Sequence, residues 1–264
     1  MRLSAPRKKG SEVSIEIDLD GGRLASLVVD GLSLLVGPDD RATRWGSFPM
    51  IPWCGRLPNG RLRFDGARHD FPITSPPHAN HGVLHTTDWS VVGDATATNV
   101  TIRADFPAVW PFGGHAVQRF ELSPKSLVVT AEVHAAERPM PAMIGWHPWF
   151  RRRLERGGNA KLDVMAESAY AVDTQMIPTG ELTTVPPQPW NVCLVDLVLP
   201  PVIEWPNALT MSIESSFDHW VVFTEPEHAL CVEPQSGPPN EINSSPTIVE
   251  PGEPLVGWMR FDWS

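Results

Sequence analysis

Residues 229–243 read Ala-Leu-Cys-Val-Glu-Pro-Gln-Ser-Gly-Pro-Pro-Asn-Glu-Ile-Asn, an apolar run that turns polar at its end. Residues 229–232 predict the buried part of a β-strand. Glu233 follows at the expected strand end, and Pro234, which has no backbone N–H, is expected to stop the pairing there. A carboxyl group in that position is partly desolvated, which raises its pKa toward the range useful for proton transfer. The alternative is an ordinary loop glutamate.

Short segments of the same kind recur along the whole chain. Residues 13–19 alternate apolar and polar side chains, as a half-buried strand does. Asp30-Gly31 and Asp65-Gly66 are signals for tight hairpin turns. No segment carries an apolar stripe of helical period over three turns. We therefore predict an all-β protein, a large antiparallel sandwich or barrel with very little helix.

The composition agrees with many short strands in one domain. The 264 residues are 42% hydrophobic and include 11 Trp, 28 Pro and 20 Gly but a single Tyr. Proline and glycine are spread along the chain rather than gathered in a linker, and no repeat or low-complexity tract occurs. We predict one domain that spans residues 1–264.

The charge and the cysteines limit the possible partners. A net charge of −10 argues against nucleic acid, because phosphate binding needs a basic surface. No apolar run reaches the roughly 18 residues of a transmembrane helix, and the basic start lacks the apolar core of a signal peptide. Three widely spaced cysteines form neither a disulfide framework nor a metal-ligand pattern. We expect reduced cysteines and a cytoplasmic location.

Polar residues that a sheet does not need for packing point to a pocket. Arg56 stands among apolar neighbours and offers fixed donors for a hydroxyl or a carboxylate, although a surface loop arginine is as good an interpretation. His78, His81 and His85 have the spacing of a helical metal site. Pro76-Pro77 and Gly82 make a helix unfavourable there, so we expect no metal and interpret the segment as a pocket loop.

His147 and Asp218 lie at the ends of further predicted strands. His147 stands between Trp146 and Trp149 and precedes a proline, so it is screened from water and suited to acid–base work near neutral pH. A structural histidine in an aromatic core is the alternative. Asp218 leads into the apolar segment that starts at His219.

Other catalytic templates fit poorly. The chain contains no Gly-x-Ser-x-Gly, no phosphate-binding Gly-x-x-x-x-Gly-Lys-Ser/Thr and no Gly-x-Gly-x-x-Gly after a strand. Arginine, histidine and carboxylates at strand ends amid many tryptophans are instead typical of a carbohydrate pocket, where aromatic faces stack on sugar rings.

Several of these segments together resemble the aldose 1-epimerase (galactose mutarotase-like) family. The matching segments are Cys54-Gly-Arg-Leu-Pro-Asn-Gly-Arg-Leu-Arg-Phe-Asp-Gly66, His81-Gly82 with Trp89, His147-Pro-Trp-Phe150, the turn Val172-Asp to Glu181, Phe217-Asp-His219, and Glu233-Pro-Gln235 with Pro239 and Asn243. Each match is weak alone, but they keep the family's order from about residue 56 to residue 243.

The resemblance implies a galactose mutarotase-like supersandwich and a cofactor-free interconversion of the α and β anomers of a monosaccharide. By position, Glu233 would be the general base and His147 the general acid. The implied sugar-binding residues are Arg56, His81, Asp218 and Gln235. Ring opening and closure would then require an ionised Glu233 and a protonated His147, which predicts a bell-shaped pH profile.

Departures from the family pattern leave alternatives open. Gly55 replaces an Asn, Trp149 a Tyr and Pro234 a frequent Thr, which puts galactose preference in doubt. Arg151-Arg152-Arg153 could hold the phosphate of a hexose 6-phosphate, or form a solvated charge run. A non-catalytic sugar-binding protein is a further alternative, as is a glycoside hydrolase that pairs Asp218 with Glu233. The expected assembly is a monomer or a homodimer.

Overall fold

The computed structural model describes residues 1–7 and 10–264, and strands dominate them. The strands are β1 (Arg2–Pro6), β2 (Glu12–Asp18), β3 (Arg23–Val29), β4 (Leu32–Ser33), β5 (Ser47–Met50), β6 (Arg56–Leu57), β7 (Arg61–Phe64), β8 (Ala67–Asp70), β9 (Ala79–Asn80), β10 (Ser90–Val92), β11 (Asn99–Asp105), β12 (His115–Leu122), β13 (Ser126–His134), β14 (Met140–Ala142), β15 (Gly145–Arg151), β16 (Lys161–Asp163), β17 (Ala166–Val172), β18 (Pro178–Thr183), β19 (Asn191–Leu197), β20 (Val202–Trp205), β21 (Leu209–Ser215), β22 (His219–Phe223), β23 (Ala229–Gln235), β24 (Thr247–Val249) and β25 (Leu255–Trp263).

The helical elements that lie wholly within the described residues are short. They are one α-helical turn, α1 (Glu241–Ser244), and the 3-10 turns Pro58–Gly60 and Leu84–Thr86. None of the helices in the described ranges has the length and apolar character needed to cross a membrane.

Two large antiparallel sheets contain most of the strands. The first has eleven strands in the order β1-β2-β3-β5-β15-β23-β22-β19-β17-β18, with β4 paired to β3. The second has eight strands in the order β10-β11-β12-β13-β25-β21-β20-β16. The all-β prediction with very little helix is therefore confirmed, as is the large antiparallel sandwich.

The core lies between the two sheets. Phe150 of β15 packs edge-on against Phe261 of β25, with ring centroids 5.5 Å apart. The indole Nε1 of Trp146 donates to Oε1 of Gln118 on β12 at 3.2 Å. Because side chains alternate along a strand, Trp146 and Phe150 place the even-numbered positions of β15 toward the second sheet. The odd-numbered positions then face the opposite side of the first sheet.

The central strands β15 and β23 are buried on both faces. Residues 145–150 and every residue of β23 are buried. One face packs against the second sheet, and loops cover part of the other. This double burial explains why these segments are almost continuously apolar instead of alternating.

Strand β23 does not end at Pro234, as we had expected from the sequence. Pairing with β22 continues to Gln235, which lies opposite His219. On the other side, the β15–β23 ladder has paired residues at Gly145–Gln235 and Trp149–Cys231, with none between them. Pro148 and Pro234 lie within that gap, and neither has an N–H for the ladder. The prolines therefore interrupt the ladder between these strands without ending β23.

The two predicted hairpin turns are confirmed. β3 and β4 join through Asp30-Gly31, with φ of 52° and 78°, and β7 and β8 join through Asp65-Gly66, with φ of 50° and 71°. Positive φ at both central residues is what a two-residue hairpin loop requires, and Asp and Gly tolerate it.

Candidate active site

The antiparallel register brings His147 and Glu233 face to face. Gly145 pairs with Gln235 and Trp149 with Cys231, so the residue midway on β15, His147, lies opposite Glu233 on β23. The separation between His147 Nε2 and Glu233 Oε1 is 3.3 Å, and the two side chains are only 7% and 2% exposed. The sheet pairing thus joins two residues that are far apart in sequence.

A cleft of about 470 Å³ opens over this pair, within the roughly 300–1,000 Å³ typical of small-molecule sites. Its floor is the outer face of the eleven-stranded sheet, since Val221 of β22 lies opposite Glu233 and Cys193 of β19 lies opposite Val221. The walls come from loops that carry Arg44, Arg56, Asn80, His81, Met176 and His228.

Aromatic rings fix the orientation of His147. Its imidazole lies between Phe48 and Trp149, with ring centroids 4.8 Å and 5.2 Å away and interplanar angles of 24° and 9°. His81 meets it edge-on at 5.0 Å. Such packing limits the imidazole to one ring plane, so its Nε2 keeps pointing at Glu233.

The loop that carries His81 has an unusual backbone. His81 has φ of 62°, in the left-handed region that L-residues seldom adopt, and Gly82 follows with φ of 73°. The His81 N–H donates to the Gly55 carbonyl at 3.0 Å. His85 lies behind this loop, with its Nδ1 3.1 Å from the His81 carbonyl oxygen. Of the three histidines that we considered as a helical metal site, His81 lines the cleft, whereas His78 and His85 are not among its lining residues.

Arg56 and Gln235 complete the predicted residues that line the cleft. Arg56 pairs with Asn80 through the short ribbon of β6 and β9, and its side chain is half-buried. Gln235 is fully within the cleft floor, and its Nε2 donates toward Glu233 Oε2 at 3.5 Å. Gly55 has φ of 63°, a conformation that Asn tolerates best after Gly. A Cβ at this position would also lie 2.6 Å from Cβ of Pro239, so both the backbone conformation and the packing favour glycine.

Burial controls the protonation of the pair. Burial raises the pKa of Glu233 well above its usual range, while the hydrogen bond from Gln235 and the charge of Arg56 oppose that rise. Burial lowers the pKa of His147 to about 3, and the positive charge of Arg23 adds to this effect. These opposite directions, raised for Glu233 and lowered for His147, favour a proton on the carboxyl group over a proton on the imidazole.

Buried polar atoms without partners converge on the cleft. Within the described ranges, no hydrogen bond reaches Asn80 Oδ1, His81 Nδ1, His147 Nδ1, Trp149 Nε1 or Gln235 Oε1, although all five atoms are buried. All five residues line the cleft. An unpaired buried polar atom costs about 1–3 kcal/mol, so the cleft favours a ligand that both donates and accepts hydrogen bonds. Sugar hydroxyls do both.

The structure does not bring Asp218 to the cleft, contrary to what the resemblance implies. Val221 and Phe223 of β22 line the cleft, whereas Asp218 lies in the loop before β22 and is not among the lining residues. Its carboxylate is 82% exposed and lies 2.8 Å from Nδ1 of His219. A glycoside hydrolase mechanism thus lacks its second carboxylate, since Glu233 is the one acid lining the cleft among the residues described.

Replacing Asp218 by Asn is therefore expected to change any anomer-exchange rate by less than about twofold, since an exposed ion pair contributes little. The measurement is the exchange rate of glucose anomers at saturating and at low sugar. A tenfold loss would return Asp218 to the sugar-binding set and show that the loop before β22 moves into the cleft.

The arginine run 151–153 is occupied in large part by structural contacts. Arg152 donates to the carbonyl oxygens of Thr224, Pro226 and Ala229 at 2.6–3.1 Å. Arg151 pairs with Glu155 at 3.0 Å. The segment that follows β15 runs as bends and forms no helical turn. Arg153 alone of the three is exposed.

Sequence reasoning missed several residues of the cleft. Asn80 could have been found, since it directly precedes His81 in a segment already singled out. Trp149 was noted only as a screen for His147, yet its indole N–H is buried without a partner within the part of the chain described. Arg44 and His228 lie in loops without a sequence signal and reach the cleft only through the fold.

These features define a class of protein, a galactose mutarotase-like supersandwich with a buried histidine–glutamate contact at the floor of a polar and aromatic cleft. The chain belongs to the aldose 1-epimerase family, a family of carbohydrate epimerases, because the family model matches residues 7–262. The family resemblance predicted from the sequence is thus confirmed.

Similar proteins agree with this assignment. The chain is 27% identical over 263 residues to the uncharacterized protein YihR of Escherichia coli K12, with 89% of this chain and 85% of that protein covered. A galactose mutarotase-like protein from Clostridium acetobutylicum has a similar structure, with a TM-score of 0.84 at 19% identity. The match covers 97% of this chain and 93% of that chain. A GalM/aldose epimerase homologue from C. elegans has a TM-score of 0.82 at 17% sequence identity, and the match covers 100% of this chain and 98% of that chain.

Proposed function

We propose that this protein interconverts the α and β anomers of an aldohexose. The observation that carries the proposal is the 3.3 Å contact between His147 Nε2 and Glu233 Oε1 at the cleft floor. O1 and O5 of a pyranose are both bonded to C1, so an acid and a base this close together can reach both oxygens. A protein that only binds sugar needs no such pair, which makes the non-catalytic alternative less well supported.

In the proposed reaction, Glu233 takes the proton from the anomeric hydroxyl while His147 protonates the ring oxygen. The C1–O5 bond breaks to give the free aldehyde, C1 rotates, and the ring closes from the other face. Arg56, His81 and Gln235 hold the sugar hydroxyls. The faces of His147 and Trp149 limit where the ring can lie.

The reaction needs one proton on the pair, and burial provides that state over a wide pH range. The second proton is gained only below about pH 3, the lowered pKa of His147. The last proton is lost as pH rises through the raised pKa of Glu233. The proton must pass from Glu233 to His147 across their contact before Glu233 can act as base. The positive charge of Arg56 favours this transfer, because it stabilises the carboxylate.

Saturation-transfer NMR on equilibrated glucose, galactose and glucose 6-phosphate tests the proposal. Exchange faster than the spontaneous rate on at least one of these sugars is expected, with a loss of rate as pH rises through the raised pKa of Glu233 and the pair becomes deprotonated. If no sugar exchanges faster but titration detects binding, a sugar-binding protein of the same fold is the better description.

A hexose 6-phosphate is a second candidate substrate, favoured by the charge of the cleft. Among the described residues, the cleft is lined by Arg44 and Arg56 and by one carboxyl group, Glu233, which is neutral at rest. The protein as a whole carries a net charge of −10. A local positive charge in an acidic protein favours a substrate with an anionic substituent.

Replacing Arg44 by Gln is expected to lower kcat/KM for glucose 6-phosphate by about tenfold or more and to leave glucose unchanged. Hydrogen bonds to charged groups contribute about 1.5–3 kcal/mol, and about 1.4 kcal/mol is tenfold. Arg153→Gln is the matched control, because Arg153 is the exposed member of the arginine run 151–153. A loss in Arg153→Gln alone would place the phosphate at that run, and no loss in either variant would exclude both sites.

One domain, a cytoplasmic location and a monomer or homodimer remain our predictions for this enzyme. They are consistent with the proposed chemistry, which needs a small-molecule sugar and no cofactor.

A further inference from the structure

Three side chains of metal-ligand type converge where His147 and Glu233 line the cleft and Cys231 is buried beside them. One ring nitrogen of His147, Sγ of Cys231 and a carboxylate oxygen of Glu233 all lie within 4.8 Å of one another, and all three residues are buried. Cys231 precedes Glu233 by two positions on β23, so both side chains leave the same face of the sheet. We propose that this cleft also binds a thiophilic divalent cation, such as Zn²⁺, through His147, Cys231 and Glu233.

The geometry suits a tetrahedral ion. Zinc lies about 2.0–2.3 Å from nitrogen, oxygen and sulfur ligands, so ligand atoms in a tetrahedral site are roughly 3.3–3.7 Å apart. His147 Nε2 and Glu233 Oε1 already lie 3.3 Å apart. The sulfur needs a movement of no more than about 1.5 Å to join them. His147 and Glu233 line the cleft and Cys231 is buried beside them, so the fourth position would open into the cleft, as in sites that leave one position for an exchangeable ligand.

The charges of the site also suit a divalent cation. A thiolate and a carboxylate together balance a charge of +2, so the occupied site is neutral and its burial is not penalised as an isolated ion would be. A thiol must lose its proton to bind the ion, so binding releases protons to the solvent, and no oxidation occurs.

The ligand types select the ion. Thiolate favours Zn²⁺ and Co²⁺ over Mg²⁺ and Ca²⁺, which prefer sites made of oxygen atoms alone. A bound ion would occupy both the acid and the base, so it should exclude the anomeric centre of a sugar. The cation site is therefore inhibitory to the proposed reaction, although the binding of the ion does not depend on that reaction.

Titration with Co²⁺ tests the site, because a cobalt–thiolate bond gives a charge-transfer absorption in the near ultraviolet. We expect the wild-type protein to bind one Co²⁺ with this absorption, which Zn²⁺ should abolish by displacement. Cys231→Ser should lose the absorption. Cys193→Ser is the matched control, since Cys193 also lines the cleft but is not part of the three-residue group, and it should keep the absorption.

No charge-transfer absorption in the wild type, or an absorption unchanged in Cys231→Ser, would overturn the proposal. If Cys231→Ser fails to fold, Cys231→Ala serves for the same comparison. The spectrum needs no turnover, so it can succeed where the proposed epimerase activity fails. Where exchange is observed, Zn²⁺ should inhibit the wild type and Cys193→Ser, and Cys231→Ser should be resistant.

Discussion

Glu233→Gln is expected to slow protein-catalysed anomer exchange by about 10²–10⁴-fold, the usual contribution of a positioned general acid or base. Glutamine keeps the size of the side chain and can still accept the hydrogen bond from Gln235, but it cannot take a proton from O1 or pass one to His147. The measurement is saturation-transfer NMR on the best of the tested sugars, in a metal-free buffer. Affinity for the sugar should change much less than the rate.

Glu241→Gln is the matched control for this experiment. Glu241 lies eight positions further along the chain in α1, and burial raises its pKa to about 7, so it too is a perturbed carboxyl group. It does not line the cleft, so its replacement should leave the exchange rate within about twofold, as for a residue with no role in the chemistry. Equal losses of exchange rate in the two variants would assign the effect to lower protein stability. An unchanged exchange rate in Glu233→Gln would show that Glu233 is not the catalytic base.

The sequence was sufficient to predict the strands and the hairpins, because both are local signals. Alternation at residues 13–19 and the Asp-Gly pairs each depend on a few neighbouring residues. The ordered family segments likewise pointed to residues 56, 81, 147, 233 and 235, and the structure places all of these at one cleft.

The site's geometry could not be predicted, because it depends on which strands are neighbours. His147 and Glu233 meet because β15 pairs with β23 in one particular register, and a shift by one residue would turn one of them into the core. Asp218 illustrates the same limit. Its motif matched the family, yet its carboxylate lies in the loop before β22, is exposed and does not line the cleft.

Cys231 was missed for a related reason. From the sequence it is one of three scattered cysteines in an apolar run, and no ligand is close to it except Glu233. Only the pairing of β15 with β23 supplies the third ligand, His147. Pro234 was misjudged because the usual rule keeps proline out of central strands. Here Pro148 of β15 and Pro234 of β23 lie in the same gap of the ladder between these two strands, so the pairing resumes on either side of it.

Gly82→Ala is expected to reduce the free energy of unfolding by about 3 kcal/mol or more, since a steric clash in a buried site adds to backbone strain. A Cβ at this position would overlap the carbonyl group of Ile51. That carbonyl cannot easily move, because it accepts hydrogen bonds from the N–H groups of Val83 and Leu84 at 2.9 Å and 3.2 Å. Relief of the clash would also displace His81, so the exchange rate should fall as well.

Gly66→Ala separates the two causes of this loss, because Gly66 has φ of 71°, close to the 73° of Gly82, but open space where its Cβ would be. The left-handed backbone alone costs an alanine about 1–2 kcal/mol, and this is the loss expected for Gly66→Ala. Urea unfolding of both variants measures the difference, which reports the clash with Ile51. Equal losses in the two variants would mean that Ile51 yields easily, and that the loop carrying His81 is not held rigidly against β5.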